Sequence, residues 1–424
     1  MSEADPRADT RSVAAGAQVS PQRIPRNVKA LGAVSLLTDA SSEMVYPVLP
    51  LFLANVLGAP VAAIGLIESI AEATASFLKV FSGWLSDRVG RRRPLIALGY
   101  TISNATKPLL ALTASWSAVL LLRFSDRFGK GVRTAPRDAL IADSGTAARR
   151  GRDFGFHRAL DTLGAAVGPL TAWAILSLVP DGYRTVFWVS AVPGTLAIVV
   201  VFAAVREVRA RPAVAAGVDA SPAGAGQARP KLPSIRLRHL GRPFALFTAA
   251  SAVFALGNSS DALLILRAQD VGTAPSLIPL MYFLFNVVGA ALAAPLGSLS
   301  DRVGRKAVLA AGFGGYALVY AGFALAHAPL AAWSLFALYG VPYAMTEGLA
   351  RAYVCDLVPA EVRATAVGGY TFVLGLAALP SSALAGLLWD TVGHAAPFAL
   401  SAALMAAAAA LLALVPARTP DFCT

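Results

Sequence analysis

The residues with the clearest chemistry in this sequence are acids and bases set within long apolar stretches. Asp39 and Glu43 stand four apart, and Glu68 and Glu72 repeat the spacing, so each pair shares one face of a helix. Lys79 continues the second stripe. Arg123, Asp126, Arg127, Lys130, Arg133 and Arg137 follow a 3.6-residue period, and His157, Arg158 and Asp161 come next. A leaner set lies further on, with Asp261 and Arg267, then Glu347 and Arg351. An ionised side chain at bilayer depth costs about 2.5–3.5 kcal/mol on insertion scales, so its presence there points to function. A deep carboxylate that takes up and releases a proton could couple transport to a proton gradient. Arginine and lysine can hold a carboxylate or phosphate. Mutual ion pairing is the plainer expectation: Asp126 with Lys130 along one helix, and Asp39, Glu43 or Glu72 with Arg123, Arg127 or Arg158 across helices.

The elements that must position these groups follow from composition. The chain has 424 residues, 56% hydrophobic and 14% charged, with a mean hydropathy of +0.63. Soluble domains carry roughly 25% charged residues, and so apolar a chain cannot cover its surface in water. Stretches near 20 residues long, the length of a membrane helix, recur at 28–56, 61–83, 95–114, 116–142, 154–179 and 184–205. Six more follow at 243–267, 273–296, 307–327, 329–355, 362–388 and 392–416. The expected fold is an all-α membrane protein, with twelve transmembrane helices in two pseudo-symmetric six-helix bundles around a central cavity.

Residues 1–27 are polar and read as a disordered tail without the apolar core of a signal peptide. The bundles take 28–205 and 243–416, residues 206–242 form a Pro-, Gly- and Arg-rich linker, and 417–424 a second tail. The net charge of +12 sits mainly in alternate loops, among them Arg88 and Arg91 to Arg93, Arg149 to Arg152, and Arg302 to Lys306. By the positive-inside rule that side, with both termini, is cytoplasmic. This placement accounts for the charge without nucleic acid, and makes the inner membrane of a bacterium the expected location. Cys355 and Cys423 suit neither a disulfide framework nor a metal site. Gly129-Lys130-Gly131 lacks phosphate-loop spacing, and no nucleophile–base arrangement stands out, so neither cofactor nor enzyme activity is expected.

A repeat carries the strongest signal. Gly83-Trp84-Leu85-Ser86-Asp87-Arg88-Val89-Gly90-Arg91-Arg92 returns as Gly297-Ser298-Leu299-Ser300-Asp301-Arg302-Val303-Gly304-Arg305-Lys306, with Asp87 and Asp301 214 residues apart. A weaker echo pairs Asp143, Arg150 and Gly155 with Asp356, Arg363 and Gly368 at 213. Two copies on one side of the membrane imply parallel repeats. This G-x-L-x-D-R-x-G-R-[RK] loop resembles the signature of the major facilitator superfamily. The resemblance implies alternating access, with a cytoplasmic gate at Gly83, Asp87, Arg88, Gly90 and Arg91 and at Gly297, Asp301, Arg302, Gly304 and Arg305.

In the fifth span, Gly155, Gly164, Gly168 and Pro169 resemble the motif of proton-coupled drug antiporters, although Ala172 and Trp173 replace two further glycines of that pattern. Small residues there also serve close helix packing. Arg123 to Leu140 resembles a bacterial subgroup of poorly defined substrate, and departs from the fourth-helix pattern of proton antiporters.

Proton-coupling candidates are therefore Asp39, Glu43, Glu68, Glu72, Asp126 and Asp161. Cavity candidates are Arg123, Arg127, Lys130, Arg158, Tyr46, Asn104, Asn258, Asp261, Tyr282, Asn286, Tyr343, Glu347 and Arg351. The expected activity is proton-coupled export of a small drug-like molecule or metabolite by a monomer embedded in lipid. Proton-coupled uptake or organic-anion transport is the alternative, and a non-transporting membrane sensor a remote one.

Overall fold

The computed structural model describes residues 24–89, 91–146, 149–208, 240–359 and 362–416, with backbone alone at positions 79, 80, 83, 84, 87, 89 and 364. Gly90, nearly all of the two expected tails and most of the expected linker lie outside these residues. Among those described there are fifteen α-helices and no strand.

The helices join into twelve rods. In the first bundle, α1 (Arg26–Val45) and α2 (Leu49–Asn55) form one rod, interrupted at Pro47, which has no amide hydrogen to donate. The remaining rods are α3 (Val61–Val89), α4 (Arg93–Leu112), α5 (Trp116–Ser144), α6 (Arg150–Leu178) and α7 (Tyr183–Ala204). In the second bundle, α8 (Arg242–Gly257) and α9 (Asp261–Asp270) share a rod broken at Asn258–Ser260, where the Ser260 side chain caps α9. Then come α10 (Ile278–Val303), α11 (Arg305–Leu325), the rod of α12 (Pro329–Thr346) and α13 (Leu349–Leu357), α14 (Arg363–Thr391) and α15 (Ala396–Ala413).

Eight helical segments are long and apolar enough by composition alone to cross a membrane. The other four rods are α1–α2, α4, α5 and α12–α13, and three of them carry the wall of charged and polar groups described below. Their outer faces still present large apolar side chains, such as Leu109, Leu121 and Leu338, as a lipid-facing surface requires.

Helix pairing repeats between bundles. The contacts of α1 with α6 and α7, and of α3 with α5, recur as α8 with α14 and α15, and α10 with α12. The bundles meet along α3–α14 and α6–α10.

One apolar core spans both bundles at the end away from the termini, joining Val48, Phe52 and Phe187 to Leu263, Phe285 and Phe323. At the terminal end each bundle has its own core, around Leu31 and Tyr100 in the first and Phe247 and Phe313 in the second. The molecule is thus sealed at one end and split at the other. Side chains on the rods show the opening: Glu72 in α3 is 55% exposed and Arg158, in the first third of α6, 72%.

Candidate functional site: a charged cavity in the first bundle

Packing around α5 builds the site. A methyl group on Gly129 would lie 2.5 Å from the Gly99 carbonyl oxygen of α4, and one on Gly131 would lie 2.5 Å from Leu78 Cβ of α3. Lacking side chains there, α5 presses against both neighbours at once. Lys130 stands between the two glycines, on the side left open, and is exposed.

The same helix carries a buried ion-pair lattice. Arg123 grips Glu68 with two nitrogens, Nε at 3.1 Å and Nη2 at 2.8 and 2.9 Å, with both side chains almost wholly buried. Such a fork-to-carboxylate contact is the strongest form of the pair. Arg123 also lies 3.6 Å from Asp126, which accepts a hydrogen bond from Ser103. Arg127 sits 3.7 Å from Glu72.

These partners differ from the expected ones. Asp126 makes no ion pair with Lys130, because Ser103 and Arg123 already engage its carboxylate. Arg123 takes Glu68, and Arg158 pairs within its own helix with Asp161 at 2.9 Å. Only Glu72 with Arg127 joins two groups as expected. Glu43 has no ion-pair or hydrogen-bond partner among the described residues.

Asp39 meets another acid. Its carboxyl group and that of Asp161 come together across the α1–α6 contact, around the Ser35 hydroxyl. Ser35 donates to Asp161 at 2.7 Å and lies 3.4 Å from Asp39. Residues 35, 39 and 43 are successive turns of one α1 face, which places Glu43 one turn further along the same wall.

A cavity of about 40 Å³, with room for about three water molecules, is bounded by Asp39, Glu43, Lys107, Asp126, Lys130 and Arg133 among others. Lys107 was not singled out from the sequence; a lone lysine in an otherwise apolar span was its only signal. It is 3% exposed and donates to Ser41. The Arg133 guanidinium lies over the Tyr100 ring at 4.2 Å.

The second bundle supplies rings and fewer charges. Tyr46, at the α1–α2 break, meets Tyr282 of α10 at 5.4 Å between ring centroids, and Phe285 links Tyr282 to Tyr343. Asp261, the first residue of α9, accepts a hydrogen bond from Tyr339 at 2.8 Å. Asn258 lies 3.4 Å from the Tyr320 hydroxyl, and the amide nitrogen of Asn286 is buried without a partner. Glu347 and Arg351 form a half-exposed pair at 3.1 Å. Asn104 instead packs between α4 and α7, donating to Thr195.

The repeated loop behaves differently from its alignment. Arg305 pairs with Asp356 at 2.6 Å, and the matching pair in the first bundle is Arg92 with Asp143, each partner 51 residues downstream. The structural counterpart of Arg305 is therefore Arg92 at offset 213, and not Arg91. Arg305 also lies 3.7 Å from Asp301. Gly304 has a φ of +93°, the turn conformation that glycine adopts without strain. A methyl group on Gly297 would meet open space, Arg88 and Arg302 are exposed, and the Asp87 side chain lies outside the described residues.

In α6, a methyl group on Gly164 would meet the Leu36 carbonyl oxygen at 2.4 Å, and one on Gly168 the Ala40 carbonyl oxygen at 2.6 Å. These glycines set α6 against α1 beside Asp39 and Glu43, and Pro169 follows them. Gly155 has open space around it.

Two related helical bundles enclosing a polar, one-sided cavity define a membrane transporter. The chain belongs to the Major Facilitator Superfamily, whose family model matches residues 31–266 and 245–422. An uncharacterized MFS-type transporter of Methanocaldococcus jannaschii is 35% identical over 374 residues, covering 87% of this chain and 89% of its own. The cis,cis-muconate transport protein of Acinetobacter baylyi is 26% identical over 334 residues, 76% of this chain and 78% of its own. Among solved structures, the nucleoside transporter NupG superposes with a TM-score of 0.71 at 16% identity, covering 92% of this chain and 99% of that one, a likeness of fold.

Proposed function

We propose that this transporter moves a small organic anion together with a proton, by alternating access, with its basic end in the cytoplasm. The observation that carries the proton is the convergence of the Asp39 and Asp161 carboxyl groups on the Ser35 hydroxyl. Two carboxyl groups so placed can share one proton, and adding or losing it changes the charge of the cavity wall by one unit. That wall lies on the α1–α6 contact, where a change of charge is felt by both helices as the bundles rock. The anion is supported by three cations bounding the cavity, Lys107, Lys130 and Arg133, that make no ion pair among the described residues, and by the relative described as a cis,cis-muconate transport protein.

Export by proton antiport is the second reading, favoured by the Gly164, Gly168 and Pro169 motif. Its glycines have a packing role against Leu36 and Ala40, which leaves them weaker support for direction.

Transport by the full chain in proteoliposomes with an imposed pH gradient, followed by an internal pH dye, tests both. Solute and proton moving the same way supports the first reading. Opposite movement supports antiport, and solute movement without proton flux overturns proton coupling altogether.

A further inference from the structure

The cavity wall of the first bundle holds more positive charge than the protein itself satisfies. Glu68 and Asp126 engage Arg123, and Glu72 engages Arg127. Three cations on the same wall remain outside any ion pair among the described residues: Lys107, Lys130 and Arg133. Lys107 has only the Ser41 hydroxyl as acceptor. Arg133 is 5% exposed, and its buried Nη1 has no hydrogen-bond partner. The Arg127 Nε is likewise buried without one. An unpaired polar atom in so dry a place costs free energy unless something completes it, and a cation held there calls for an anion.

We propose that Lys107, Lys130 and Arg133 form the subsite for a carboxylate group of the transported solute, a proposal that rests on the transport reading above. The cavity fits a group of this size. Arg133 offers a planar nitrogen edge already oriented by its stacking on Tyr100, and Lys130 reaches in from the open vestibule between its two glycines. The body of the solute then lies toward the Tyr46 ring, which bounds the cavity and meets Tyr282 of the second bundle.

Glu43 faces the same space, as do Asp39 and, through it, Asp161. Their charge opposes an incoming carboxylate and partly offsets Lys130. A protonated wall therefore accepts the anion more readily than an ionised one, and anion and proton load together. Binding at the cationic triad and protonation of the acids are two halves of one electrostatic exchange.

Thermal unfolding of the purified full-length protein in detergent tests the subsite, with benzoate and adipate as probes and benzamide as the uncharged control. Both carboxylates are expected to raise the midpoint, while benzamide does not. Lys130→Gln, at an exposed position, should keep the ligand-free midpoint and weaken benzoate at least tenfold; Glu43→Gln should strengthen it several-fold. A wild-type midpoint indifferent to both carboxylates overturns the proposal, and so does Lys130→Gln binding them as the wild type does. The binding experiment needs no gradient. Lys130-dependent binding without proton flux in liposomes would sink the coupling reading and leave the subsite standing, and the reverse result would sink the subsite alone.

Discussion

Asp390, at the end of α14 in the second bundle, accepts hydrogen bonds from the backbone amides of Ala62 at 2.8 Å and Val61 at 3.2 Å, at the start of α3 in the first. One bundle thus caps a helix of the other, satisfying two of the amides that every helix N-terminus leaves unpaired. One turn back, a methyl group on Gly386 would lie 2.5 Å from the Val61 carbonyl oxygen, and one on Gly65 would lie 2.0 Å from that of Ser382. Here the seam brings backbone against backbone. The neighbouring Gln269 to Asn55 bond at 3.0 Å also crosses between bundles.

Removing that cap should loosen the sealed end. Losing a capping side chain costs about 1 kcal/mol, which corresponds to about a fivefold shift toward a conformer open on this side. Spin labels at positions 57 and 272 should report a longer-distance population in Asp390→Ala. An unchanged distance distribution would show that the apolar core alone holds the seal.

The carboxyl pair should separate coupled from uncoupled movement. Asp39→Asn and Asp161→Asn are expected to abolish accumulation driven by a pH gradient while exchange of solute across the membrane persists. Loss of exchange as well would make the pair a structural contact and not a proton site.

The two classes of ion pair should differ in their energetic weight. Glu68→Gln leaves the buried Arg123 guanidinium with only its longer contact to Asp126, at a cost toward the lower end of the about 3–5 kcal/mol of a broken buried pair, and should lower the unfolding temperature sharply. Adding Arg123→Gln should recover much of the loss. Glu347→Gln breaks a half-exposed pair contributing about 0–1 kcal/mol, and a comparable drop there would contradict this ranking.

Small residues on α6 give a graded series. Gly164→Val and Gly168→Val drive a side chain into the α1 backbone and should abolish folded protein on size-exclusion chromatography. Gly155→Ala meets open space and should be silent. Equal behaviour of all three would mean that α6 and α1 can separate freely.

The acidic and basic stripes were legible as sets because helical periodicity and burial cost act on each helix separately. Asp39, Glu43, Glu68, Glu72 and Arg123 to Arg133 could be picked out as membrane-depth charges from spacing alone. Their partners could not. Helical spacing favoured Asp126 with Lys130, yet Gly129 brings α5 so close to α4 that Ser103 reaches the Asp126 carboxylate first. Asp39 meeting Asp161 was equally hidden, since nothing in one sequence says which faces of α1 and α6 touch. Lys107 went unnoticed because a single lysine has no period.

By itself, the sequence determined that this chain is a helical membrane protein with a duplicated unit, and which helices must turn a charged face inward. Those properties follow from the free energy of placing each side chain in hydrocarbon, a term local to each helix. Only the tertiary structure decided which charges are spent on one another and which stay unpaired. It also decided that Arg92 is the counterpart of Arg305, and that the cavity opens at the terminal end. Those outcomes depend on how closely two backbones approach, which contacts between Gly99 and Gly129, and between Gly168 and Ala40, set over distances of a few ångströms.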